Sequence, residues 1–241
     1  MLKQLIASLI LANEKDTGSS NQPSNYPPEG VNPIQVGCII DGRVEERDII
    51  AGFYYLAQRG YMIIREYELQ HFEFEPVTPP VKESDDIKTL YKAIFGKDNK
   101  TVTLTEAKDR LVKAIPQVVT LTNKFVMRKK NREVANLTAQ ANEFRKTLIS
   151  TKGEEAQNLL YEDSNYIFKV LPYAYEFAIT AKLASNFNIM DIEPPTWYIP
   201  YGVDDKYVFD VVVYNSMLRN LPEELKSTVF EELNIRARMG L

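Results

Sequence analysis

The chain has 241 residues, of which 44% are hydrophobic and 26% are charged, and its formal net charge is −4 at neutral pH. This composition is that of an ordinary globular protein, and the negative charge opposes nucleic-acid binding by the surface as a whole. The single cysteine, Cys38, and the single histidine, His71, exclude an intrachain disulfide framework, a zinc site of several cysteines and a metal site of several histidines.

The first 25 residues combine an apolar run, Leu5 to Ala12, with a polar linker, Thr17 to Asn25. A helix needs about 20 apolar residues to span a membrane, so this run is too short to cross a bilayer alone. We expect residues 1–25 to form a short apolar helix, packed on the rest of the chain or on a partner, followed by the linker. Contact of residues 1–13 with a membrane and the stub of a shortened span are the alternatives.

Two predicted helices open the stretch 26–80. Asn32 and Pro33 suit the cap and the first position of a helix that ends near Gly42. A second helix, over residues 45–59, carries apolar side chains at helical spacing.

A predicted β-hairpin follows these helices. Its strands are residues 61–67 and 72–77, and its turn carries His71, which we expect to be solvated. Helix, turn, helix and hairpin are the outline of a winged helix. The sequence therefore predicts a first winged-helix-like module over residues 26–80.

The charge of this module argues against DNA binding. Residues 29–76 include nine acidic and four basic side chains, and we expect Glu45, Glu46 and Asp48 on the exposed side of the second helix. Such a surface repels phosphates. We predict that the acidic first module does not bind DNA.

Residues 81–132 repeat the order of helix, strand, helix and strand. A helix begins after Ser84 and carries apolar side chains at helical spacing as far as Gly96. The alternating stretch 101–105 predicts a short strand.

The next predicted helix is capped by Thr105, and Pro116 is expected to kink or split it. Residues 124–128 are then predicted to form a wing strand that pairs back on residues 101–104. The stretch 81–132 is therefore predicted to be a second, degenerate winged-helix-like module.

The second module reverses the charge of the first. Residues 77–150 include fifteen basic and eight acidic side chains. The densest basic run is a candidate binding site for phosphates of nucleic acid or for anionic lipid head groups. A solvated basic edge that faces the acidic segments of the chain, and a surface for another acidic protein, are the alternatives. The candidate residues are Lys124, Arg128, Lys129, Lys130 and Arg132.

Residues 133–241 are predicted to be a helical C-terminal domain. Apolar side chains from Val134 to Leu148 recur every three or four residues, which predicts a long helix packed on its own domain. The aromatic-rich stretch 166–187 predicts a helix pair or one proline-kinked helix. Residues 208–214 fit a strand or a buried helix, and a last helix is predicted to open at Pro222. The whole chain is thus predicted to be α+β and mostly helical, with two tandem winged-helix-like modules followed by the helical domain.

Catalytic constellations, cofactor motifs and metal-ligand patterns do not emerge from the sequence. Gly96-Lys97 does not belong to a phosphate-binding loop, because Tyr91 and Asp98 stand where such a loop has a glycine and a hydroxyl residue. The adjacent acidic pair Glu154-Glu155 is expected to be a solvated helix end. We predict no catalytic residue, no cofactor and no metal, and hence no enzyme.

Several spaced blocks carry a family resemblance, in the order YPPEGVNPIQVG, DGRVEERDI, LAQRGYMII, FRKTLIS, YIFKVLPYAYEFAI and PPTWY. Over Tyr26 to Tyr198 the chain resembles the cytoplasmic region of the YciQ-like family, an uncharacterised family of bacterial predicted membrane proteins. The sequence departs from that pattern where a membrane hairpin is expected, because it has the polar stretch RKKNREVANLTAQANEF there. It also has Ala178 and Leu183 where members tend to have glycine and tryptophan.

The resemblance implies an architecture and a location but no activity. It places the chain in the cytoplasm or at the cytoplasmic face of the bacterial inner membrane, as a soluble part or a soluble relative of a membrane-associated protein. Together with the charge pattern, it predicts a non-enzymatic scaffold or protein-interaction module with a protein partner. Sequence-insensitive nucleic-acid binding through the basic second module is the alternative function. Peripheral contact with the inner membrane face is a further possible interaction. A small-molecule substrate is not expected.

Overall fold

The computed structural model describes residues 24–189, 192–203 and 207–240. Within these residues helices surround one small sheet, so the fold is α+β and mostly helical, as predicted. The apolar helix predicted for the first residues of the chain lies outside the described part. The elements in chain order are α1 (Pro33–Asp41), α2 (Glu46–Gln58), β1 (Met62–Glu68), β2 (His71–Pro76), α3 (Asp85–Phe95), β3 (Val102–Thr103), α4 (Leu104–Met127), α5 (Asn131–Ser150), α6 (Glu154–Glu162), α7 (Tyr166–Glu176), α8 (Thr180–Phe187), β4 (Tyr198–Ile199), α9 (Val211–Leu225), a π-helical turn (Lys226–Phe230) and α10 (Glu231–Met239).

Helix α1 begins and ends as its sequence predicts. The Asn32 side chain accepts a hydrogen bond from the Gln35 backbone N–H at 3.0 Å, and the Gln35 side chain accepts one from the Asn32 N–H at 3.3 Å. This reciprocal capping box satisfies two donors that a helix start otherwise leaves open. Gly42 ends the helix with φ at 71°, a left-handed conformation that glycine adopts without a steric penalty.

Strands β1 and β2 form the predicted antiparallel hairpin, with Ile64 opposite Phe74. Alternate side chains, including Met62 and Phe72, are fully buried because successive residues of a strand point to opposite faces. Two further strands complete the sheet in the order β3-β2-β1-β4. Strand β3 is antiparallel to β2, whereas β4, from the predicted helical domain, is parallel to β1.

The start of α4 differs from the prediction. Thr103, and not Thr105, caps this helix, because its hydroxyl accepts from the Glu106 N–H at 3.2 Å and the Glu106 carboxylate accepts from the Thr103 N–H at 2.7 Å. Pro116 does not split the helix, which continues from Leu104 to Met127. A proline removes a single helical hydrogen bond, and the buried apolar face of α4 continues on both sides of it.

The predicted wing strand at residues 124–128 is wrong, since Lys124 to Met127 belong to α4. The strand expected to receive it, β3, pairs instead with β2 of the hairpin. The Thr122 hydroxyl donates to the buried Asp86 carboxylate at 3.0 Å. This hydrogen bond holds the last turns of α4 against α3. The second predicted module therefore shares the sheet of the first.

The C-terminal segment contains the predicted long helix and the helix pair. Helix α5 buries Ala141, Phe144 and Leu148 on the predicted seam. The stretch 166–187 forms two helices, α7 and α8, and Pro172 lies inside the first of them.

Residues 208–214 are not a strand, because α9 begins at Val211. Asp210 caps this helix by accepting from the N–H groups of Val212 and Val213, both at 2.9 Å. Side-chain capping compensates for the low helix propensity of three consecutive valines. Pro222 does not open a helix but lies inside α9.

One cluster of buried apolar side chains runs through residues from all three predicted segments, from Val31 to Phe230. Buried tyrosine hydroxyls connect its distant parts. Tyr173 donates to the Val31 carbonyl oxygen and Tyr214 donates to the Thr180 carbonyl oxygen, both at 2.9 Å. These bonds allow large aromatic rings to lie in the core with their polar ends satisfied.

Candidate functional site

The five basic residues singled out by the sequence lie together around the turn between α4 and α5. Lys124 is in the last turn of α4, where a cation faces the negative end of the helix. Lys130 precedes the first residue of α5, and its backbone N–H donates to the Glu133 carboxylate at 2.9 Å. We call this surface the basic corner, and its members are Lys124, Arg128, Lys129, Lys130 and Arg132.

The side chains of the basic corner point to solvent. Four of the five are exposed, and Lys129 is half-buried with its Nζ atom 4.5 Å from the centre of the Phe125 ring. No ion pair within the described ranges involves any of the five. Residues 26–80 differ, because their arginines pair with carboxylates of the chain, as Arg59 does with Glu83 at 3.4 Å and Arg65 with Glu73 at 3.2 Å.

An apolar side chain also lies on this surface. Met127, between Lys124 and Arg128, is 82% exposed. The basic corner therefore has several cations that can bind phosphate or carboxylate oxygens. It also has one flexible side chain, Met127, that can contact an apolar group. The acidic segments of the chain do not neutralise the corner by direct ion pairs among the described residues.

A buried carboxylate, Asp86, connects α1, α3 and α4. It accepts hydrogen bonds from the Asn32 amide at 3.1 Å, the Gln35 amide at 3.0 Å and the Thr122 hydroxyl at 3.0 Å. Ser84 is the N-cap of α3, as predicted, but its hydroxyl accepts no hydrogen bond from an N–H group of the first turn and instead donates to the Asp86 carboxylate. Hydrogen bonds from within the fold therefore satisfy the Asp86 carboxylate.

Two further buried acids attach α9 to the hairpin. Glu66 accepts from the Asn220 amide at 2.8 Å and from the Tyr198 hydroxyl at 3.2 Å. Glu224 accepts from the Phe72 N–H at 3.0 Å and lies 3.2 Å from Nδ1 of His71, and burial raises the pKa of Glu224. His71 is exposed, as expected, but it is the first residue of β2 rather than part of the turn, and its half-exposed ring also contacts this carboxyl group.

Asp48 and Glu176 form a third buried acidic group, which the sequence pattern does not predict. Asp48 was expected on the exposed side of α2, yet it is fully buried. Its carboxylate turns back to accept from the Glu45 N–H at 2.8 Å and lies against Gly37 of α1. Glu176, at the end of α7, is 2% exposed. A signal for it exists, because Glu176 follows the buried Tyr173 by three residues and so shares its helical face.

Arg47 links this acidic pair to an open groove of about 760 Å³. Its Nη2 atom is 3.3 Å from Asp41 and 3.7 Å from Glu176. Lys226 also lines the groove. In this groove, charges of residues 26–80 therefore lie near opposite charges of the C-terminal helices, as Arg47 does to Glu176.

Within residues 24–189, 192–203 and 207–240, no three His, Cys, Asp or Glu side chains are placed to hold a metal ion. Across the same residues, every helix is too short or too polar to cross a bilayer. Comparisons of the chain with models of protein families, with curated protein sequences and with solved structures gave no match.

Proposed function

We propose that the chain is a non-enzymatic interaction module that binds a partner protein through the basic corner. The observation that carries this proposal is the contrast in charge pairing. The described arginines of residues 26–80 pair with carboxylates of the chain, whereas the basic corner has four exposed cations and the half-buried Lys129, none with an ion-pair partner among the described residues. An acidic partner surface supplies the counter-charges, and the exposed Met127 supplies apolar contact.

The architecture within this proposal is that of two winged-helix-like modules that share one sheet. Helices α1 and α2 followed by the β1–β2 hairpin support the first module. Helix α3, strand β3 and helix α4 support the second, which uses the hairpin of the first module instead of a wing of its own. On this reading the basic corner takes the place of the missing wing.

We also propose that the chain is related to the YciQ-like family and that it lies at the cytoplasmic face of a bacterial inner membrane. Both statements rest on the spaced sequence blocks between Tyr26 and Tyr198. The proposed module then presents the basic corner to a protein partner at or near that surface. Peripheral contact between the same cations and anionic lipid is a further interaction that this location permits.

Nucleic-acid binding through the basic corner is the second candidate function. Five neighbouring cations, four of them exposed and none in an ion pair within the described chain, favour it, because neutralising phosphates drives such binding. The acidic first module opposes it by repelling a long polyanion. The second candidate therefore predicts weak, sequence-insensitive and strongly salt-dependent binding.

The test compares wild type with the triple variant Arg128→Ala, Lys129→Ala, Lys130→Ala. The matched control removes three exposed lysines elsewhere in the same segment, as Lys97→Ala, Lys100→Ala, Lys113→Ala. Crosslinking in the native host, followed by identification of the captured proteins, is expected to give a partner with wild type and with the control but not with the corner variant. If wild type, the corner variant and the control capture the same partner equally, the basic corner is not the binding surface.

Fluorescence anisotropy distinguishes the second candidate. A labelled random duplex and a labelled single strand are titrated with each protein at low and at near-physiological salt. Low-micromolar binding that weakens steeply with salt and is lost only in the corner variant would favour nucleic acid over a protein partner. Absence of binding at low salt would eliminate nucleic acid as the partner.

A further inference from the structure

The carboxyl groups of Asp48 and Glu176 lie within hydrogen-bonding reach of each other where α1, α2 and α7 pack together. Asp48 is fully buried and Glu176 is 2% exposed. Gly37 of α1 leaves the space for them, since a Cβ atom at this position would lie 2.5 Å from the Asp48 carboxyl carbon. The pair therefore joins the first module to the C-terminal helices through a tightly packed polar contact.

The hydrogen bonds of the pair are incomplete unless it holds a proton. Oδ2 of Asp48 accepts from the Glu45 N–H at 2.8 Å, and Oε1 of Glu176 lies 3.7 Å from Nη2 of Arg47. Oδ1 of Asp48 and Oε2 of Glu176 are buried, and among the described residues neither has a hydrogen-bond partner. Two carboxylates repel each other, but a carboxylic acid donates to a carboxylate. One proton supplies the missing bond to both orphaned oxygens.

The surrounding charges do not compensate two ionised carboxylates. Arg47 of α2 is the cation that faces them, and it is shared with the Asp41 carboxylate at 3.3 Å. Tyr175 of α7 and Cys38 of α1 are also close, and burial raises the pKa of both, so that they are neutral at physiological pH. Arg43, farther out in the groove, is engaged by the Glu45 carboxylate at 2.6 Å.

We propose that Asp48 and Glu176 share one proton at neutral pH, and that this proton couples the docking of α7 on α1 and α2 to pH. The proton belongs to Glu176, because the backbone N–H bond from Glu45 stabilises the ionised form of Asp48. Burial, followed by the hydrogen bond and the charge of Asp48, raises the pKa of Glu176 far above its ordinary range.

The sign of the pH dependence follows from linkage. In the unfolded chain Glu176 loses its proton near an ordinary glutamate pKa of about 4.3. In the folded chain it keeps the proton through neutral pH, so folding takes up a proton over this range. The contribution of this group to stability is full at acidic pH and declines as pH rises towards the folded pKa.

Urea unfolding at several pH values between 6 and 9 tests the proposal. Trp197, the single tryptophan, reports on α7 because its buried ring lies 6.0 Å from the ring of Phe168. Glu176→Gln replaces the protonated acid by a neutral isostere, and Glu143→Gln, exposed on α5, is the matched control. The ratio of the folding constant of Glu176→Gln to that of wild type is expected to rise up to about tenfold per pH unit. Glu143→Gln is expected to follow wild type, and parallel curves for Glu176→Gln and wild type would overturn the proposal.

Infrared spectroscopy at neutral pH gives an independent readout. The stretch of a protonated carboxyl group is expected at equal intensity in wild type and in Glu143→Gln, and Glu176→Gln is expected to lose the part of the band that Glu176 contributes. If Glu176→Gln does not fold, Glu224→Gln takes its place, because burial also raises the pKa of Glu224. The band must then persist in Glu224→Gln. Its absence there, or in wild type, would refute a shared proton.

Discussion

The hydroxyl group of Tyr54 in α2 donates a hydrogen bond to the carbonyl oxygen of Met217 in α9 at 2.9 Å, across 163 positions of sequence. The ring of Tyr54 is fully buried. The bond therefore joins α2 to α9 inside the core, where water cannot replace it.

Tyr54→Phe is expected to lower the free energy of unfolding by about 1 kcal/mol, because the variant loses one buried hydrogen bond and keeps the ring. Urea unfolding measures the change. Tyr161→Phe is the control, since Tyr161 is 94% exposed. Equal stability of Tyr54→Phe and wild type would show that the bond contributes nothing net.

Asp86→Asn is expected to destabilise the chain by about 1.5–3 kcal/mol, the range for hydrogen bonds to charged groups. The new amide NH₂ group would face the side-chain donors of Asn32, Gln35 and Thr122. The neighbouring Asp85→Asn is a closely matched control, because Asp85 is exposed. Comparable losses in the two variants would argue against Asp86 as the hub of this network.

Gly37→Ala is expected to lower stability by about 1–3 kcal/mol, the cost of overpacking a filled core. The added methyl group would overlap the Asp48 carboxyl group and force α1 and α2 apart. Gln140→Ala, on the exposed side of α5, provides a helix substitution without such overlap. Thermal or urea unfolding that leaves Gly37→Ala unchanged would mean that Asp48 can move aside.

Cys38 is expected to react slowly with thiol reagents in the folded protein. Burial, and then the carboxylates of Asp48 and Asp86, raises the pKa of the Cys38 thiol to about 11, so little thiolate exists at pH 8. Its Sγ atom also lies 3.4 Å from the Asn123 side-chain oxygen. Labelling at pH 8 should be at least about a hundredfold slower than in denaturant. Similar rates in both conditions would contradict the burial of this thiol.

Local sequence patterns predict the elements that are stabilised locally. The Asn32 cap and the apolar spacing of α3 each lie within a few residues, and both predictions are confirmed. The prediction of a wing strand at 124–128 is wrong. The composition of this stretch resembles that of a strand, but the hydrogen bond between Thr122 and Asp86, which are far apart in sequence, holds the end of α4 as a helix against α3. Periodicity cannot reveal such a bond.

The buried acids show the same limit. An acid at the start of a helix is ordinarily solvated, so Asp48 gave no local sign of burial. Its position follows from Gly37 and Glu176, which approach it only when α1 and α7 pack on α2. The basic corner, by contrast, is a continuous run and could be located from sequence, whereas its freedom from internal ion pairs among the described residues could not.

The parallel pairing of β4 with β1 has a consequence for synthesis of the chain. The Ile64 N–H donates to the Trp197 carbonyl oxygen at 2.8 Å, so this edge of the hairpin is closed by a segment that leaves the ribosome much later. Until then β1 exposes open backbone groups that can pair with another chain. A nascent or truncated chain that ends before residue 198 is therefore expected to aggregate and to bind chaperones more readily than a chain that includes β4.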